Sequence, residues 1–186
     1  MSERFEIRWH GRGGQGAVTA AVLVAESAIL DGKYAQAYPE FGAERRGAPV
    51  KAYTKVSDSP IYSRAPILNP DIVVVLDASL DSSIYLEGIK EGGIVLLNSS
   101  KSDEEVRKII GRGDLKIAVI DATHIALDIL KAAIVNTAMV GALIKIVPLA
   151  SLDSLEKALH ETFSKKVADL NYQAVKTAYD KVRVIN

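Results

Sequence analysis

The apolar runs "DIVVVLD", "GGIVLLNSS" and "LKIAVID", beginning at residues 71, 92 and 115, leave little choice about what this 186-residue chain builds. Each carries a block of aliphatic side chains with no polar face to offer to water, so each reads as a strand buried on both sides. Such strands lie inside a parallel sheet that has helices on both faces. The segments between and after them read as helices. "SDEEVRKIIGRG" puts acids at its start and bases at its end, in accord with the helix dipole. Beyond Asp121 the chain turns helical through "THIALDILKAAIVNTAMVGALIKIV" and "SLDSLEKALHETFSKKVADLNYQAVKTAYDKVRV", with Ser151 as the cap of the latter. The expected class is α/β: a three-layer α/β/α sandwich with a largely parallel (mixed) sheet, in one domain over residues 1–186. No repeat, linker or low-complexity tract divides it.

The first third of the chain is less regular. "FEIRWH" alternates, with Phe5, Ile7 and Trp9 on one face, and reads as a strand ending near His10. The glycine-rich "GRGGQG" follows, and "AVTAAVLVAESAIL" then has helical density, stopped at Gly32. "YAQAY" is a short, barely apolar strand. "VKAYTKVS" alternates with Lys51, Tyr53 and Lys55 on one side, which suits an antiparallel or edge strand with one wet face. "DSPIYSRAPILNP", with three prolines, is turn-rich.

Gly11, Arg12, Gly13, Gly14, Gln15 and Gly16 form the sharpest chemical feature. Four glycines in six residues mean that the backbone itself is needed bare. Placed between a strand and a helix, bare amides can approach a phosphate, and the spacing of Gly11, Gly13 and Gly16 satisfies G-x-G-x-x-G. A nicotinamide or flavin site would also need an acid at the end of the second strand to grip the ribose. Asp31 sits at the helix end and Glu40 in irregular chain, so neither fills that role. The sequence thus leaves a phosphate-type ligand site and a tight strand–helix turn both open.

"EFGAERRGAPV" brings Arg45 and Arg46 together with Tyr38 and Phe41 nearby. Anion clamp, solvated charge cluster and docking surface are the three readings, and the residue types favour docking. His10, His124 and His160 match no metal-ligand spacing. His124 with Asp121 and Asp128 reads as helix-start capping, and Asn136 as a satisfied buried amide. No serine lies in G-x-S-x-G. No constellation runs a reaction alone, so no catalytic and no metal-binding residue is assigned.

Composition narrows the classes. Lys+Arg and Asp+Glu each number 23, so there is no general field to draw the chain onto nucleic acid or anionic lipid. With no cysteine, the chain holds neither disulfide nor thiolate nucleophile nor cysteine-bound iron–sulfur cluster. The start "MSERFEIRWH" has no secretory pattern, and Asn136, Lys145 and Pro148 interrupt the longest apolar stretch. A cytoplasmic protein with no nucleic-acid or membrane partner is expected.

Taken together, "HGRGGQGAVTAAVLVAESA", "FGAERRGAPVKAYTKVSDSPI", "PDIVVVLD" and "NTAMVGAL" resemble the gamma subunit of 2-oxoacid:ferredoxin oxidoreductases, from about residue 5 to residue 145. The form "GAERRGAPV" is most like the pyruvate enzymes. The resemblance implies a multisubunit enzyme that interconverts pyruvate, coenzyme A and oxidised ferredoxin with acetyl-CoA, carbon dioxide and reduced ferredoxin. It implies thiamine diphosphate and iron–sulfur clusters in alpha, beta and delta partner subunits, ferredoxin met through the complex, and no turnover by this chain alone. It also implies that the glycine loop, with Arg12 and Gln15 as polar helpers, meets the diphosphate of coenzyme A or shapes its cleft. An independent NAD(P)-binding protein and a purely structural subunit are the alternatives.

Overall fold

The computed structural model describes residues 4–40 and 47–185. One sheet of seven strands organises them, in the order β2-β3-β1-β4-β5-β6-β7. Its centre is β4 (Ile72–Val75), the "DIVVVLD" run, with all four residues buried. On one side β4 pairs in parallel with β5 (Ile94–Asn98), and β5 with β6 (Lys116–Ile120). On the other it pairs in parallel with β1 (Arg4–Arg12). The three apolar runs therefore lie side by side, as expected from their lack of a polar face.

The flanks are antiparallel. β3 (Pro49–Ser57) runs against β1 along nine residue pairs, from Arg4 opposite Ser57 to Arg12 opposite Pro49. β2 (Tyr34–Pro39) forms the edge beyond it. At the far edge β7 (Arg183–Ile185) runs against β6. Sequence periodicity suits β3 to an antiparallel or edge strand with one wet face; it is antiparallel, and the structure corrects the edge alternative and the wet face. The strand is interior, and Tyr53 and Lys55 are buried because residues 58–70 fold over them. The strand expected to end near His10 continues to Arg12, carried on by its partner β3.

Helices α1 (Ala17–Leu30), α4 (Ala122–Leu130), α5 (Asn136–Ile146), α6 (Leu152–Thr162) and α7 (Lys165–Lys181) cover one face. The short α2 (Ser82–Leu86) and α3 (Asp103–Ile110) cover the other, over Val73, Val75, Val95 and Leu97. This is the expected three-layer α/β/α arrangement. Local chemistry explains the helix ends. Ser102 and Glu105 form a reciprocal capping box on α3, and Ser151 accepts from Ser154 N at the start of α6.

Two helical stretches of the sequence divide. The first breaks at Lys131, whose φ of 56° lies in the left-handed region, and gives α4 and α5. The second gives α6, α7 and the terminal strand β7. The periodicity of "VRV" over Arg183–Ile185 is too short to distinguish from the end of a helix. Gly141 lets α5 touch α7, since a Cβ there would lie 2.3 Å from Val175 O. α1 is pinned to the sheet through Thr54, which accepts from Trp9 Nε1 and donates to Ala21 O, both at 3.0 Å.

Candidate functional site

After β1 the chain departs to one side to build β2 and β3, then returns to the other side to build β4. The two sets of connections diverge at this point, and a crevice opens beyond the carboxyl ends of β1 and β4. The β1 end carries the glycine loop, the β4 end Asp77, the β5 end Asn98 and the β6 end Asp121. A cleft of about 660 Å³ lies across these ends, with Gln15, Asp77, Ser79, Asn98, Lys101 and Thr123 among its walls.

The loop is held from within. Gln15 Oε1 accepts from Arg12 N at 2.7 Å, and Gln15 N donates to Arg12 O at 3.0 Å. Gly13 N donates to Ala48 O at 2.9 Å, while Gly13 O accepts from Gly47 N at 3.2 Å. Among the described residues this leaves the Gly14 and Gly16 amides without an acceptor in the protein. Gly14, with φ of +95°, has nothing within 4 Å of where a Cβ would stand, so its face is open. Gly16, with φ of +81°, opens α1, and no side chain caps that helix. An uncapped helix start bears partial positive charge from its free amides.

Asp77 joins the loop to the β4 end. Its Oδ2 accepts from Arg12 Nε and from Gln15 Nε2, each at 3.0 Å, and its Oδ1 accepts from Ser79 N. Arg12 also donates to Gly47 O and Ser79 Oγ, both at 3.2 Å. Partial burial by itself would raise the Asp77 pKa. Hydrogen bonds from Ser79 and Gln15 and the charge of Arg12 outweigh it, and the carboxyl is held below its ordinary value. Asp77 thereby fixes both polar side chains of the loop.

Asn98 performs the corresponding task one strand further on. Its Nδ2 donates to Leu76 O at 2.9 Å and Thr123 Oγ1 at 3.0 Å, and its Oδ1 accepts from Ala122 N at 3.0 Å. The floor of the cleft is thus cross-braced from β4 to the start of α4. Asp77 and Asn98 were not singled out by sequence reasoning. The available signal was positional, a polar residue closing each apolar run at the strand end where open α/β sheets place their sites.

The remaining candidates disperse. Asp121 Oδ1 accepts from His124 N, and His124 meets Asp128 at 3.1 Å with both side chains well exposed, which is helix-start chemistry. Asn136 is buried, accepts from Thr137 N at 2.8 Å, and packs against Gly16. His10 is enclosed beneath the sheet and outside the cleft. Arg45 and Arg46, with Phe41, lie outside the described residues. The segment that follows them is tied to the site through Gly47 and Ala48 on Gly13 and Arg12.

The glycine spacing has the dinucleotide form, but the sheet does not. In that fold the helix after the loop leads to a strand parallel to and beside the first, with the ribose-gripping acid at its end. Here β3 occupies that place, antiparallel, and β2 lies outside it. Among the described residues, no group of three or more His, Asp or Glu converges as a metal site, and no helix is long and apolar enough to cross a membrane.

Comparison with known proteins agrees with this architecture. Residues 6–181 match the family model described as pyruvate ferredoxin/flavodoxin oxidoreductase. The chain is 49% identical over 180 residues to the pyruvate/ketoisovalerate oxidoreductases common subunit gamma of Pyrococcus furiosus, covering 96% of this chain and 97% of that one. It is 49% identical over 178 residues to the pyruvate synthase subunit PorC of Methanothermobacter thermautotrophicus, covering 95% of each. The crystal structure of the pyruvate oxidoreductase subunit PORC of Thermotoga maritima superposes with a TM-score of 0.89 at 43% identity over 99% of both chains. The fold also recurs, at 20% identity and a TM-score of 0.81, in 31% of a chain of the 2-oxoglutarate:ferredoxin oxidoreductase of Magnetococcus marinus, a structure with 2-oxoglutarate, coenzyme A and succinyl-CoA bound. This chain belongs to the pyruvate ferredoxin/flavodoxin oxidoreductase family, as an oxidoreductase subunit of the gamma (PorC) type.

Proposed function

We propose that the chain serves a pyruvate:ferredoxin oxidoreductase by assembling with its alpha, beta and delta subunits and supplying part of the coenzyme A site. The complex converts pyruvate, coenzyme A and oxidised ferredoxin to acetyl-CoA, carbon dioxide and reduced ferredoxin. Thiamine diphosphate and iron–sulfur clusters belong to the partner subunits in this reading, and this chain binds and orients without turning over substrate alone. Its working compartment is the cytoplasm.

The observation that carries the reading is the glycine loop. Gly14 leaves its backbone open to approach, the Gly14 and Gly16 amides have no acceptor in the described protein, and α1 begins uncapped beside the cleft. Those are the features an anionic diphosphate uses at a helix start. The relatives named above act on pyruvate, and the oxoglutarate enzyme that shares the fold has coenzyme A bound. Asp77 keeps Gln15 at the cleft wall and holds Arg12 beside it, so the loop presents one shape to the ligand.

The test compares the chain alone with the chain in its complex, using pyruvate, coenzyme A, thiamine diphosphate and a viologen dye. Dye reduction requires the partner subunits in this account. Sustained reduction by the pure chain would contradict it.

A further inference from the structure

Half of one sheet face has no helix over it. Beneath α2 and α3 the face is aliphatic, but over β1–β3 it carries Arg8, His10, Tyr38, Tyr53 and Lys55, and the cover is residues 58–70, which form neither helix nor strand. This strap is fastened by side chains from all three strands beneath it. Lys55 Nζ donates to Ser63 O at 3.1 Å and Ala65 O at 3.0 Å, and Tyr38 OH donates to Ala65 O at 2.6 Å. Gln36 Nε2 donates to Ile61 O at 2.8 Å, and Arg8 Nη1 reaches Leu68 O at 3.4 Å. The same Arg8 donates to Tyr85 O and Glu87 O, so one guanidinium holds the strap end and α2 together.

Lys55 and Arg8 are 3% and 4% exposed. Lys55 Nζ also lies 3.9 Å from Glu6 Oε1, so its loss of water is offset by an ion pair as well as by the strap carbonyls, while Arg8 is held by carbonyls and by His10. What the fastening achieves is a fixed outward display. Tyr62 is 92% exposed and Leu68 74%, the two most exposed large apolar side chains among the described residues, and exposed Arg64 stands between them in the chain. Pro60, Pro66 and Pro70 further restrict the segment. Tyrosine and arginine on a rigid mount lose little freedom on association, which is how anchor residues of interfaces behave.

We propose that the strap is a docking element, and that its occupant is a partner subunit of the same oxidoreductase presenting an apolar pocket to Tyr62 and Leu68 and a carboxylate to Arg64. The proposal rests on the subunit reading above, and it names a surface distinct from the cleft. Arg64 sets the charge of the partner surface, because a guanidinium at a rim gains from an acid opposite it and is repelled by a base.

Titration of the full-length chain against its remaining subunits, for wild type, Tyr62→Ser/Leu68→Ser and Arg64→Glu, tests the idea. Both variants should bind roughly tenfold or more weakly, as loss of anchor residues does. The Tm of the isolated chain should stay within about 2 °C, because the altered side chains are exposed. Undiminished binding by both variants would overturn the strap assignment and leave the subunit reading intact. Failure of the wild type to bind any partner would remove the subunit reading itself. A homodimer of the isolated chain that the variants dissociate would make a second copy the occupant and contradict the assignment to another subunit.

Discussion

Asn136 packs directly onto Gly16. A Cβ on Gly16 would lie 2.5 Å from Asn136 Nδ2 and 3.0 Å from its Cγ, and the backbone there has a φ of +81°. The first residue of α5 thus sets how closely the start of α1 can approach, and so positions the last residue of the glycine loop.

Gly16→Ala combines a left-handed backbone with a collision, and is expected to lower stability by about 2–4 kcal/mol. Asn136→Ala in the same background removes the two nearest contacts, and leaves the backbone cost and the Asn136 Cβ at 3.1 Å. The double variant should therefore lose less than the two single changes added together, as contacting residues do in a thermal-denaturation cycle. Strict additivity would mean that the contact carries no energy.

His10 is 2% exposed, and its Nε2 accepts from Arg8 Nε at 2.9 Å. Burial first, then the charges of Arg8 and Lys51, lower its pKa from 6.5 to about 3. Between those values the unfolded chain binds a proton that the folded chain refuses. Stability should then fall as pH drops from about 6.5 toward 3, by at most about 1.4 kcal/mol per pH unit from this residue. Asp77, whose folded pKa is depressed, adds a loss in the same direction below the ordinary carboxylate range. Urea unfolding of wild type and His10→Gln at pH 7 and pH 5 checks the first contribution. The variant should show the smaller difference, and equal differences would remove His10 as the cause.

Arg8→Met should be among the more damaging single changes on the strap side of the sheet. It leaves the carbonyls of Leu68, Tyr85 and Glu87 and the His10 Nε2 without their donor. A loss of about 2–4 kcal/mol is expected. Hydrogen exchange should show faster opening at residues 58–70 than at β4 and β5, because the strap has few backbone partners of its own. Uniform acceleration across the sheet would contradict the fastening role.

The sequence made the centre of the sheet plain and its margins obscure, for physical reasons. β4, β5 and β6 are buried on both faces, and their side chains alone declare it. β3 was misleading because Tyr53 and Lys55 look solvated until residues 58–70 fold across that face, a non-local event that no strand period records; Lys51 alone of the three stays partly exposed. The break at Lys131 was hidden because a lysine carries no signal for left-handed backbone, unlike the glycine at 32. In the site, the glycines were evident from composition. Asp77, which holds the loop's Arg12 and Gln15 from more than 60 residues further along the chain, and Asn98 in the cleft floor needed the strand order. The same order explains the missing ribose acid: β2 never lies beside β1.

Asp77→Ala frees Arg12 and Gln15 from their shared carboxylate without touching a glycine. In the assembled enzyme it should raise the KM for coenzyme A several-fold, with a smaller effect on kcat, since it removes positioning and no reacting group. The isolated variant should remain folded, because Asp77 is only half-buried. Unchanged coenzyme A kinetics would separate this network from ligand binding.

The most direct measurement is steady-state kinetics of the reconstituted complex carrying Gly14→Val, varying coenzyme A and pyruvate in turn after assembly has been checked. A Cβ at Gly14 meets nothing within 4 Å in the described protein, so what it obstructs is whatever approaches the loop, while the φ of +95° adds strain of about 1–2 kcal/mol. The account predicts a KM for coenzyme A raised at least several-fold and a KM for pyruvate nearly unchanged. An unchanged KM for coenzyme A, or equal effects on both substrates, would contradict it.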